Sequence, residues 1–181
     1  MSYDATPGGT DRAVFDLTFD APTELTGYCK LKVFMSAQDS DDMDVFVGLQ
    51  KLDANGAVVP FPYYAQFDDG PVALGWLRAS HRELDAEKST DWQPVHAHTR
   101  KQKIPPDEIV ALEIEIWPSG TYFAAGEKLR LIVQGDDINR YPKDKVPVYF
   151  RHEASVNRGR HIIHAGGAYD SHLLVPVIPE V

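Results

Sequence analysis

Four carboxylates in six residues, Asp39-Ser40-Asp41-Asp42-Met43-Asp44, could grip Ca²⁺, which takes six to eight oxygen ligands. A helix-loop-helix calcium loop beginning at Asp39 would need glycine at its sixth position and glutamate at its twelfth. Those positions hold Asp44 and Gln50, so that loop is excluded. A looser, sandwich-type Ca²⁺ site is the remaining alternative to a solvated acidic turn, and the turn is the expectation. His96 and His98 have a spacing used by metal ligands, but no third ligand is evident near them in the chain. His161 and His164 differ by an odd number on a predicted strand, so they are expected to face opposite ways and not to share a metal. Asp170-Ser171-His172 contains the three residue types of a nucleophilic triad, yet neighbouring strand residues point apart. Trp76, Trp92, Trp117, Tyr63 and Tyr64 could line a sugar platform, although burial in the fold or against a partner is the stronger reading.

The elements that would position these groups alternate with a period of two. Val110, Leu112, Ile114 and Ile116 alternate with Ala111, Glu113 and Glu115, as in a half-buried strand. Pro118 and Gly120 are expected to stop that strand, and Gly126 to open the next, which carries Leu129, Leu131 and Val133 on one face. Further strands are predicted over 12–19, 25–35 and 43–52, the last ending in an Asn55-Gly56 hairpin turn. Cys29 shares a phase with Leu31, Val33 and Met35, so it is expected to be a small buried hydrophobe. Segment 73–82 fits a helical spacing through Leu74, Leu77, His81 and Leu84, but Gly75 and Ser80 weaken a helix. Residues 83–106 and 136–157 read as long loops. A closing hairpin is expected from 160–164, a Gly166-Gly167 turn and 171–178. Eight to ten antiparallel strands at this spacing predict an all-β, two-sheet antiparallel sandwich of jelly-roll type.

Composition narrows the function classes. At 181 residues, one sandwich domain over 1–181 is the expectation. A formal charge of −9 argues against nucleic acid as a partner, because phosphate binding needs clustered Lys and Arg. No run approaches the roughly 18 apolar residues of a membrane helix, so no membrane partner is expected. The first ten residues lack the basic and apolar regions of a signal peptide, which favours a cytoplasmic setting. A single cysteine excludes an internal disulfide.

Several segments together resemble the C-terminal β-sandwich of the Xaa-Pro dipeptidyl-peptidase and cocaine-esterase-like family of serine hydrolases. Glu24-Leu-Thr-Gly27-Tyr with Leu31-Lys-Val-Phe is similar to that family's first long sandwich strand. Asp41-Asp-Met-Asp44-Val-Phe-Val-Gly-Leu resembles the next, and Gly75-Trp-Leu-Arg78-Ala-Ser-His-Arg82 the one after it. The strand ending in Pro118, the aromatic-Gly turn through Gly126, and Leu129-Arg130-Leu131 complete the likeness, which spans about 14–141. Residues 142–181 would add a long loop and the closing hairpin. The resemblance implies a galactose-binding-domain-like jelly roll, and it makes 73–82 a strand rather than a helix. It marks Gly27, Asp44, Gly75, Arg78, Arg82, Pro118, Gly126 and Arg130 as family-motif residues with structural or interface roles.

In that family the nucleophile, aspartate and histidine lie in a preceding α/β-hydrolase domain. None of the eight serines here sits in the Gly-x-Ser-x-Gly-like elbow that exposes such a nucleophile. The resemblance therefore implies no catalytic residue, no metal and no cofactor in this chain. It implies an accessory domain that packs on a hydrolase domain, shapes its active-site entrance and supports a homodimer. The alternative is a free-standing carbohydrate-binding module of galactose-binding-like fold.

Overall fold

The computed structural model describes residues 1–63, 67–141 and 152–179. Twelve strands and one short 3₁₀ turn are found there, and no α-helix among the described residues. The 15-residue strand β3 (Thr23–Ala37) organises one sheet. Along one edge it pairs with β9 (Val110–Phe123); along the other it pairs in succession with β11 (Arg160–His164) and β12 (His172–Leu174). β1 (Ser2–Asp4) adds outside β11. The second sheet runs β2 (Arg12–Thr18), β10 (Lys128–Gln134), β4 (Asp44–Leu52), with β8 (Ala73–Arg78) and β5 (Val58–Val59) sharing the far edge of β4. β6 (Phe61–Tyr63) and β7 (Phe67–Gly70) form a separate two-stranded ribbon. Every pairing is antiparallel, as the all-β sandwich reading requires.

The alternating phases read from the sequence meet between the sheets. Leu31, Val33 and Met35 face Val45, Val47 and Leu49, while Leu112, Ile114 and Ile116 join Leu129, Leu131 and Val133 in the same cluster. Cys29 lies among them, 4% exposed. Ile132, in the opposite phase, is buried as well, on the outer face of its sheet. It pairs with Gly48, where Ile138 packs so close that an added Cβ would meet it at 3.0 Å.

Three expectations are corrected. Pro118 and Gly120 do not stop the strand, because β9 runs through both. Gly27 pairs with Ser119 and Cys29 with Ile116, so Trp117 and Pro118 together oppose Tyr28 alone. That extra residue is a β-bulge, and a bulge is where a strand tolerates proline's missing N–H. The closing hairpin is not one. β11 and β12 do not pair with each other; they follow one another along β3, interrupted by a small turn around Gly166 and Tyr169. Segment 73–82 is a strand only to Arg78 and then turns through a 3₁₀ helix at Ala79–His81. Strands β1, β5, β6 and β7 were missed because two to four residues carry too little periodicity to be read. The 136–157 loop prediction and Tyr64 fall in large part or wholly outside the described residues.

Candidate functional site

β8 places Ala73, Gly75 and Leu77 inward, and Leu74, Trp76 and Arg78 outward. A Cβ built on Gly75 would lie 2.2 Å from the Glu115 carbonyl oxygen, so the backbones of β8 and β9 touch where the two sheets close on each other. This approach, together with the bulge, brings Trp76 against Trp117, with ring centroids 5.0 Å apart and an interplanar angle of 68°. The two residues are 40% and 46% exposed, high for tryptophans in contact. His152 packs on Trp76 at 5.0 Å and on Phe46 at 5.1 Å. Trp76 thus stands as a ridge between two grooves. The narrower, about 300 Å³, is walled by Phe46, Arg78 and His152. The wider, about 520 Å³, is lined by Arg78, His81, His96, His98, Glu115 and Trp117.

A polar frame holds this corner. Arg78 donates from Nε to Asp44 Oδ1 at 2.7 Å and from Nη2 to Asp44 Oδ2 at 2.9 Å, and it reaches the Ala154 carbonyl. Asp44 Oδ2 also accepts from the Val156 N–H, and Asn157 bonds both the N–H and the carbonyl of Asp44. Burial pushes the Asp44 carboxyl up, but the Arg78 and Val156 donors outweigh it and hold the group below its usual range. Arg82 donates to the carbonyls of Ala79 and Gln102, closing the 3₁₀ turn onto the 83–106 excursion. His96 Nε2 bonds the Glu113 carbonyl at 3.0 Å, and desolvation lowers its pKa. His98 Nδ1 lies 3.1 Å from His81 Nδ1.

The acidic segment is used by the protein itself. Asp42 Oδ1 accepts from the N–H groups of Met43 and Ser80, Asp44 pairs with Arg78, and Asp41 and Asp42 approach Lys103. Among the described residues no three His, Cys, Asp or Glu side chains converge to hold a metal ion. Ser171 is a strand bridge: its hydroxyl donates to the His164 carbonyl at 2.6 Å and accepts from the Phe34 N–H. His172 turns to the Asp170 carbonyl instead of to that hydroxyl.

The motif residues therefore fall into three places. Asp44, Gly75, Arg78 and Arg82 build the Trp76 corner. Gly27, with φ at +137°, and Pro118 belong to one bulge, two sides of the same irregularity. Gly126 and Arg130 lie apart: Gly126, with φ at +86°, turns the chain between sheets, and Arg130 forks onto Asp16 across β2. Sequence reasoning named both tryptophans but not their contact, because they lie in different sheets. It placed His81 only in a helical spacing and inside the Gly75–Arg82 motif, and did not pair it with His98.

The fold so defined is an all-β, two-sheet antiparallel sandwich whose motif arginines and acids bond its own backbone and strands. Residues 1–174 match the X-Pro dipeptidyl-peptidase C-terminal non-catalytic domain, and the chain belongs to that family. The match extends well beyond the 14–141 read from motifs. A CocE/NonD family hydrolase from Staphylococcus aureus, known from a 1.95 Å crystal structure, is 45% identical, with a TM-score of 0.93 over 99% of this chain and 32% of its own. A second structure of a Staphylococcus aureus CocE/NonD family hydrolase gives 46% identity and a TM-score of 0.92 over 98% of this chain. A Mycobacterium bovis protein named as a serine esterase is 28% identical over 126 residues, 67% of this chain and 18% of the relative. An aminopeptidase from a marine-sediment thaumarchaeon shares the fold at 18% identity and a TM-score of 0.61. The chain spans about a third of the length of the staphylococcal hydrolases and under a fifth of the mycobacterial relative.

Proposed function

We propose that this chain serves as the accessory sandwich of a dipeptidyl-peptidase- or esterase-type serine hydrolase, packing on an α/β-hydrolase domain and shaping its active-site entrance. The observation that carries this is the Trp76–Trp117 pair, large and half-exposed, on a domain that spans about a third of its staphylococcal relatives. Exposed tryptophans beside an arginine, here Arg78, have the composition of a protein interface rather than of free surface. Asp44, Gly75, Arg78 and Arg82 would act as the frame of that face, and Gly27 and Pro118 would aim Trp117 through the bulge. Gly126 and Arg130 would hold the distant end of β10. The reaction belongs to the partner: acyl transfer to water, with nucleophile, base and oxyanion hole supplied there.

The test is reconstitution. The catalytic two-thirds of the staphylococcal hydrolase, lacking its own sandwich, is mixed with this chain, and association is measured by light scattering. Binding is expected, weakened at least tenfold by Trp76→Ala or Trp117→Ala and unchanged by Leu174→Ala on β12. Fluorophosphonate should label the catalytic partner and not this chain. Failure of the chain to bind, variants that bind as well as the parent, or stoichiometric labelling of Ser171 would overturn the reading. Saturable binding of simple sugars to the Trp76 ridge would favour a carbohydrate module in its place.

A further inference from the structure

We propose that His81 and His98 form a two-imidazole chelate for a first-row transition-metal dication, Cu²⁺ foremost. Their Nδ1 atoms are 3.1 Å apart and their ring centroids 5.2 Å apart. Two imidazole nitrogens about 2.0 Å from one metal are separated by about 2.8 Å at adjacent square-planar positions and about 3.3 Å at tetrahedral ones. The observed separation falls between these limits. At this separation a metal about 2.0 Å from both nitrogens lies about 39° off the N···N line, so each ring turns by up to about that angle for its lone pair to meet the cation.

The backbone at residue 98 is set for this contact. His98 has φ at +52°, in the left-handed region that is strained for a non-glycine residue. That turn carries the imidazole of a long excursion back onto His81, which ends the 3₁₀ turn 17 residues earlier. His96 anchors the same segment through the Glu113 carbonyl, with its ring centroid 6.0 Å from that of His98. Without metal, one Nδ1–H donates to the other Nδ1. On binding, that proton moves to Nε2 of its own ring, so both Nδ1 lone pairs face the cation and no proton leaves the neutral pair.

Two protein ligands make a weak, exchangeable site, since no third His, Cys, Asp or Glu converges there among the described residues. Water completes the sphere. Cu²⁺ leads because imidazole sites follow the order in which Cu²⁺ exceeds Ni²⁺ and Zn²⁺. The formal charge of −9 raises the local concentration of dications around the domain.

The untagged chain is titrated with CuCl₂ by calorimetry and by electron paramagnetic resonance. One equivalent is expected, with nitrogen coupling from two imidazoles. His81→Ala and His98→Ala should each weaken binding at least tenfold, and His172→Ala, on an exposed residue of β12, should not. His98→Gly removes the ring while keeping the left-handed backbone, and should match His98→Ala in metal binding with a parent-like thermal midpoint. No stoichiometric binding, coupling from one imidazole or none, or binding indifferent to both variants would overturn the proposal.

Discussion

Arg78 grips Asp44 as a fork on a fork, at 2.7 and 2.9 Å, directly across the β4–β8 ladder. The same carboxylate also receives the Val156 N–H, so one ion pair ties two strands to the segment entering β11. Asp44 is 8% exposed, whereas the Arg78 side chain is a third exposed. Arg78→Ala is expected to cost about 2–3 kcal/mol, below the 3–5 of a fully buried pair because solvent screens the guanidinium. Arg78→Lys should fall between, keeping the charge and losing the fork. Because the Asp44 pKa is lowered in the folded state, this contribution is complete above the unfolded value of about 4 and is lost as pH falls through the folded one. Urea denaturation at pH 7 and pH 3 measures both effects, and a parent-like midpoint for Arg78→Ala would contradict them.

Gly75→Ala should destabilise by about 3 kcal/mol or more. Its Cβ would fall 2.2 Å from a backbone oxygen of β9, and backbone cannot swing aside as a side chain does. Gly56→Ala is the contrast. It has φ at +88° but no atom within 4 Å, so only the left-handed penalty of about 1 kcal/mol applies. Equal losses in the two variants would mean that sheet closure at Gly75 is looser than described.

His161 is fully buried against Tyr3, whose hydroxyl lies 3.2 Å from Nδ1, and its Nε2 has no partner. Burial lowers its pKa from 6.5 to about 4. The unfolded chain therefore binds more protons between these values, so stability is complete above pH 6.5 and falls as pH drops toward 4. The loss is about 3 kcal/mol. His161→Phe should flatten this part of the profile, and an unchanged slope would contradict the assignment.

Burial also pushes the Cys29 thiol up to about 11. Little thiolate exists at neutral pH, and little of the sulfur is reachable. A disulfide reagent should label it slowly until denaturant is added. Rapid stoichiometric labelling of the native chain would count against the β3 register.

Ile114 and Leu131 lie in one cluster that draws on both sheets. Ile114→Asp or Leu131→Asp should abolish cooperative unfolding, because an unpaired buried carboxylate costs several kcal/mol against a domain's total of about 5–15. Glu113→Ala, which removes the 29%-exposed partner of a Lys30 side chain only 12% exposed, should cost about 1–2 kcal/mol, well below the Asp variants. A single calorimetric transition of the parent chain is expected if 1–181 folds as one unit.

The sequence by itself determined the strands that carry a long alternating phase. Cys29 to Met35 and Val110 to Ile116 bury every second residue because one face of each meets the other sheet. It also pointed to the family, since four short motifs in a fixed order are jointly specific where each alone is weak. What the chain could not disclose is which strand lies beside which. Pro118 reads as a stop, and becomes a bulge only because Tyr28 on β3 stands opposite two residues. Arg160–His164 and His172–Leu174 read as a hairpin, yet β3 is long enough to pair with both in turn. Trp76 and Trp117 are 41 positions apart, and His81 and His98 are 17 apart. Their contacts arise from a glycine-thin approach of two sheets and one left-handed residue, neither of which leaves a periodic trace. Local alternation is a property of one strand and is written in it. Juxtaposition is decided by packing among strands, and only the folded sandwich contains it.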